Sequence, residues 1–272
     1  VPDDASATPS PAPAEGLRTS FDGGVLTVTL DRPEVLNALS GAMSLGIAET
    51  LERAGSDDDV RVVVLTGAGE AFSTGADIGG TDAHERFDVR AMDVTSRMVR
   101  AITSCDKPVV AAVNGVAAGV SASLALACDV IVARHSAAFL LPFSRIGFMV
   151  DGGASATVAA AIGRARAMRM GLLAEPLSAT EAYDAGLVTH LAPAEPTSAY
   201  DDLVATLVGR LAAGPPLALA ATKRAVNAAT LHRLDDALDR ERSGQTLLMR
   251  THDVAEGMRA FSERRKPVFR GE

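Results

Sequence analysis

The chain reads as an α/β protein assembled from repeated crossovers. Short β-branched runs alternate with segments of helical spacing, two of those runs lead into glycine-punctuated loops, and beyond about residue 197 the alternation gives way to helices alone.

Residues 25–30 alternate Val and Leu with Thr and predict a strand. Ser40 then opens an amphipathic helix reaching about Ala54. Residues 60–66 are β-branched, too short for a helix and followed by Gly67 and Gly69, so they predict a buried strand. A loop with Gly75 at its centre, residues 71–78, comes next. Met92, Val99 and Ile102 give residues 91–104 helical spacing, and residues 109–113 predict another strand. The second glycine loop, residues 114–120, leads into residues 118–128, a small-residue apolar segment of helical length. The first amides of such a helix are unpaired and sit at the positive end of its dipole, so an anionic oxygen is favoured there. Residues 130–133 predict a further strand. In the C-terminal region, Leu203, Leu207 and Leu211, then Leu234, Leu238, Leu247 and Leu248, recur at helical spacing. Those stripes exceed what one thin layer needs, which points to subunits packing through them.

With 272 residues, 47% of them apolar, the chain has ample material for a core. Residues 1–16, rich in Pro, Ala, Ser and Asp, read as a disordered tail, residues 17–196 as the core and 197–272 as a helical oligomerisation region. The tail lacks the basic start and apolar centre of a signal peptide, and no uninterrupted apolar run reaches membrane-spanning length. Cys105 and Cys128 read as buried reduced thiols, and the expected setting is the cytoplasm with no membrane partner. A net charge of −8 argues against nucleic acid as a partner. Arg259, Arg264, Arg265, Lys266 and Arg270 nevertheless make the end of the chain basic, either as a solubilising helix end or as a phosphate site.

Familiar signatures are absent. Gly67-Ala68-Gly69 runs on into Glu70-Ala71-Phe72, so no dinucleotide fingerprint forms, and no Gly-Lys-Ser/Thr follows a glycine loop. The five histidines have no ligand spacing, and no metal is expected. Gly119-Val120-Ser121-Ala122-Ser123 lacks the last glycine of a nucleophile elbow.

Four stretches in order, Leu30-Asp31-Arg32-Pro33-Glu34-Val35-Leu36-Asn37-Ala38-Leu39-Ser40, the loop from Ala71 to Ile78, Asn114 to Gly119, and Phe261-Ser262-Glu263-Arg264-Arg265-Lys266-Pro267, resemble the crotonase, or enoyl-CoA hydratase/isomerase, superfamily. The likeness covers everything but the tail. It implies a spiral of β-β-α repeats with a C-terminal helical trimerisation region, a homotrimer or homohexamer, and acyl-CoA thioester substrates, with coenzyme A as part of the substrate and no separate cofactor. It also implies that the backbone amides of Ala76 and Val120 polarise the thioester carbonyl. Main chain near Leu36, Ala38, Ala76, Asp77 and Ile78 would contact the CoA, with Phe261 and Arg264 reaching it from the last helix, often a neighbouring subunit's.

Hydratases of this superfamily carry two glutamates, and the matching positions here are Ser123 and Phe143, neither able to do acid–base work near neutral pH. Asp151 falls where members that shift a double bond carry their single base. The active-site pattern is therefore closest to the single-carboxylate enoyl-CoA isomerases, with Asp151 as base and Ser123→Ala expected to matter little. The plain alternative for an Asp-Gly-Gly sequence before an alanine-rich helix is a turn or a helix cap. Asp77 is expected to stabilise its loop. Glu85, Asp88 and Asp93 are reserve carboxylates, better read as a solvated face. Rival readings are a hydratase or lyase using another base, and a non-catalytic acyl-CoA-binding homologue.

Overall fold

The computed structural model describes residues 14–79 and 88–272. Most of the expected tail, and Glu85, lie outside the described residues. Ala14 to Gly16 form the turn into the first strand, Leu17 N donating to Ala14 O at 2.9 Å.

β1 (Leu17–Asp22) and β2 (Val25–Leu30) form a hairpin, and α1 (Gly41–Ser56) follows, with the Ser40 side chain accepting from Met43 N as its cap. The next units repeat one plan. β3 (Val62–Gly67), β5 (Val109–Val113) and β7 (Val130–Ala133) enter a larger sheet, and the strand after each, β4 (Ala71–Ser73), β6 (Val116–Ala118) and β8 (Ala138–Leu140), enters a smaller one. A helix closes each unit: α2 (Val89–Ser104), α3 (Val120–Ala127) and α4 (Ala154–Leu173). β9 (Leu177–Ser178), α5 (Ala179–Asp184) and β10 (His190–Leu191) complete sheets of order β1-β2-β3-β5-β7-β10 and β4-β6-β8-β9. This is the spiral of β-β-α repeats that the resemblance implies.

Both faces of the larger sheet are covered, which is why its parallel strands read as continuous apolar runs. Val63, Leu65, Val109, Ala111 and Ile131 face the main core. Val62, Val64, Val110, Ala112 and Val132 meet Tyr200, Leu207 and Val208 of α6 (Ala199–Ala212) on the other side. α7 (Pro216–Thr230), α8 (Leu234–Leu248) and α9 (His252–Ser262) end the chain. α7 is pinned by Lys223, whose Nζ lies 2.7 Å from Asp129 Oδ2 and 2.7 Å from Ile102 O.

Two expectations change. The helix expected over residues 118–128 starts at Val120, because residues 116–118 pair with β4 and β8. The last apolar stripe is also redrawn: α8 buries Leu234, Ala237, Leu238, Glu241 and Gln245, while Leu247 is 68% exposed. Two polar side chains occupy positions that helical spacing assigns to the core.

Candidate active site

Backbone contact between the two glycine loops creates the first half of the site. A Cβ on Gly75 (φ +96) would stand 2.8 Å from Ala118 O, and one on Gly119 (φ +57) 3.8 Å from the Gly75 Cα. Only glycine combines that φ with so close an approach. Two buried hydroxyls lock the loops together: Ser73 Oγ donates to Asn37 O at 2.7 Å and so receives the Ser121 hydroxyl, 2.6 Å away.

Ala76 lies within a parallel bridge to Leu39 that its own amide bypasses, since Leu39 N donates to Gly75 O and Asp77 N to Leu39 O. Val120 is the first residue of α3, where no preceding turn supplies a carbonyl. Among the described residues neither amide has a protein acceptor. Both line one cavity of about 430 Å³, and Asp151 lines it too.

Asp151 follows a buried apolar corner containing Phe143 and Phe148 and is itself 5% exposed. Its Oδ2 accepts from Gln245 Nε2 at 2.8 Å, and its main-chain oxygen accepts from Ser123 Oγ at 2.7 Å. Oδ1 is buried with no partner among the described residues. Burial pushes the carboxyl up to about 7; the Gln245 hydrogen bond opposes this rise and the nearby Glu241 charge adds to it.

The capping alternative for Asp151 is overturned. Gly153 is the residue before α4, and the carboxylate that serves the helix start is Glu241, accepting from Gly153 N at 2.7 Å and from Ser155 N at 3.0 Å. Glu241 and Gln245 are one helical turn apart on α8, which puts them on one face. Sequence reasoning missed both because their partners lie more than 80 residues away in the chain.

Of the residues the resemblance assigned to CoA, Ala76, Asp77 and Ile78 line the cavity. Leu36 is in the left-handed region and half exposed, and Ala38 is buried. Arg32 Nη1 ties this edge together, donating to Ala38 O at 2.9 Å and to Asp77 Oδ2 at 3.0 Å, so Asp77 does hold its loop. Phe261, 56% exposed on α9, and the exposed Arg264 are not among the residues lining the cavity of their own chain. Asp88 lines the cavity but caps α2 through Arg90 N, and Asp93 is exposed and paired with Arg242. The basic end of the chain has an internal use: Arg259 and Arg265 bind the buried Glu256 and hold its carboxyl well below the usual range.

The enoyl-CoA hydratase/isomerase family model matches residues 20–272. The chain belongs to that family. This enoyl-CoA hydratase/isomerase homologue is 36% identical to a 1,2-epoxyphenylacetyl-CoA isomerase of Escherichia coli, over 94% of this chain and 99% of the relative. It is 40% identical to a probable enoyl-CoA hydratase of Rhodobacter capsulatus, over 94% and 98%. A solved enoyl-CoA hydratase from Mycobacterium avium subsp. paratuberculosis superposes with a TM-score of 0.88 at 47% identity, covering 95% of this chain and 100% of that one. As a crotonase-family enzyme, this protein has relatives named for both isomerisation and hydration.

Proposed function

We propose that the protein binds a 3-enoyl-CoA, or a related unsaturated thioester, and moves the double bond toward the carbonyl. One observation carries this reading: among the described residues lining the cavity, Asp151 is the carboxylate that is buried and keeps an oxygen without a partner, while Asp77 and Asp88 are engaged at its edge. A single carboxylate suffices for isomerisation, because the proton it removes is the one it returns.

Asp151 takes a proton from the α-carbon, and the electron pair left behind delocalises over the thioester. The negative charge settles on the carbonyl oxygen, between the Ala76 and Val120 amides. The protonated carboxyl then delivers its proton to the γ-carbon, and the double bond ends conjugated with the carbonyl. Each oxyanion donor is worth roughly 3 kcal/mol by analogy with measured donor deletions. A carboxyl titrating near 7 is matched to both halves of the transfer at neutral pH. Phe261 and Arg264 are proposed to reach the CoA of a neighbouring subunit in a homotrimer or homohexamer, since they stand exposed away from their own cavity.

The test pairs substrates with one variant. The protein should convert a 3-enoyl-CoA to its conjugated isomer, and Asp151→Asn should lower that turnover by about a thousandfold or more while leaving the Kd for a saturated acyl-CoA within about threefold. Unchanged turnover would remove Asp151 from the mechanism. The second reading, hydration by a base elsewhere, is favoured by the relatives named as hydratases. Rapid loss of the conjugated absorbance of crotonyl-CoA would establish it, and tight binding without turnover across a panel of thioesters would point to a non-catalytic homologue.

A further inference from the structure

We infer that Gln245, on α8, is a positioning residue for Asp151: its side-chain amide fixes Oδ2 and leaves Oδ1 as the oxygen that takes up and returns the proton. This rests on the reading of Asp151 as the base.

Gln245 is 2% exposed, and its side chain is fully oriented. Nε2 donates to Asp151 Oδ2 at 2.8 Å and to Met149 O at 2.9 Å, while Oε1 accepts from Met149 N at 3.3 Å. Reversing the amide would set its oxygen against two acceptors and its NH2 against a donor, so the network permits one orientation. Both N–H groups are spent, and rotation of the side chain would leave at least one buried donor unpaired.

The helix that presents Gln245 is itself held at this corner. Glu241, on the same face, binds Gly153 N and Ser155 N, so α8 grips the turn on both sides of Gly152. A Cβ on Gly244 would come within 2.2 Å of Met149 Sδ, which shows how directly α8 lies against the segment leading to Asp151. Leu234, Ala237 and Leu238 bury the preceding turns of the face. A rigid platform therefore holds one carboxyl oxygen and spares the other.

The two oxygens are then chemically different. The amide bond favours the ionised form and works against burial, and Glu241 is the neighbouring charge that works with burial. Gln245 thus limits how basic the carboxyl becomes as well as where its proton sits.

The first test is Gln245→Met, close in size but without the amide, in the full-length protein with a 3-enoyl-CoA. The expected result is a kcat lower by roughly tenfold or more, a KM within about twofold, and an acid limb of the pH profile moved up by about one unit. Gln245→Glu keeps an acceptor for Met149 N and places a second carboxyl against Asp151, so its acid limb should move up further.

A readout that leaves Gln245 intact covers the case in which neither variant folds. The side-chain amide NMR signals of Gln245 should titrate with a midpoint near 7 in the wild type and lose that titration in Asp151→Asn. A folded Gln245→Met with wild-type kcat and pH profile, or amide signals indifferent to pH, would overturn the assignment. Loss of activity in Asp151→Asn alongside either result would show that the base reading stands and only the positioning role has failed. Retained activity in Asp151→Asn would remove the base reading itself.

Discussion

The two halves of the site are built by different means. Main chain makes the proposed Ala76 and Val120 donor pair: two glycine loops touch, and local geometry leaves both backbone amides without a protein acceptor among the described residues. Side chains from the middle and the C-terminal part of the chain make the Asp151 corner, where Gln245 and Glu241 arrive from α8, 94 and 86 residues after Asp151 and Ser155. Main-chain donors tolerate a change of side chain but no displacement of the loops. In the carboxylate corner the identity of each side chain matters, because each sets either orientation or proton affinity.

The sharpest way to break the first half is Gly75→Ala. A Cβ at φ +96 and 2.8 Å from Ala118 O must separate the loops, with a stability loss of at least about 2 kcal/mol and turnover down by roughly a hundredfold, read by thermal melts and steady-state kinetics. The second half is best probed by pH. Below about pH 7 Asp151 is protonated and cannot act as base, so kcat/KM for isomerisation should fall about tenfold per unit.

The same shift has a sign for stability. The folded pKa of Asp151 lies above its ordinary value, so its favourable contribution is present below about pH 4 and is lost as pH rises through about 7. Asp151→Asn should therefore gain Tm relative to wild type at pH 8, and the gain should shrink by pH 5.

Glu241→Gln sharpens the contrast with Gln245. It keeps one acceptor for the start of α4 but loses the second and the charge, at a cost of about 1–3 kcal/mol in chemical denaturation. Removing that charge should move the acid limb down, opposite to Gln245→Met. The smallest effect belongs to Ser123→Ala. Its hydroxyl donates to Asp151 O, so the small effect expected of Ser123→Ala becomes a loss of about 1 kcal/mol and a modest fall in kcat, read by thermal melts and steady-state kinetics.

Much of this was readable along the chain. The strand at residues 25–30 is legible from its alternation of Val and Leu with Thr, and those at 109–113 and 130–133 because both sheet faces are buried there, so apolar residues run together. The glycine loops stood out because positive φ and close backbone approach leave no other residue type. The three-residue strands β4, β6 and β8 did not, being too short to display a period. Glu241 and Gln245 left one trace, polar residues at buried positions of the α8 stripe, and it could be recognised only once Leu247 was seen to face outward.

What the amino-acid sequence determined by itself was the set of local geometries: strands, helix starts, two loops that need glycine, and a carboxylate in an apolar corner. What only the tertiary structure decided was the use of those parts. It brought Gly75 against Ala118, gave the cap of α4 to Glu241 instead of Asp151, and spent one Asp151 oxygen on Gln245 while leaving the other without a partner among the described residues. The reason is range. Backbone conformation answers to the nearest few residues, whereas the partners and proton affinity of a buried group answer to whatever the fold carries next to it.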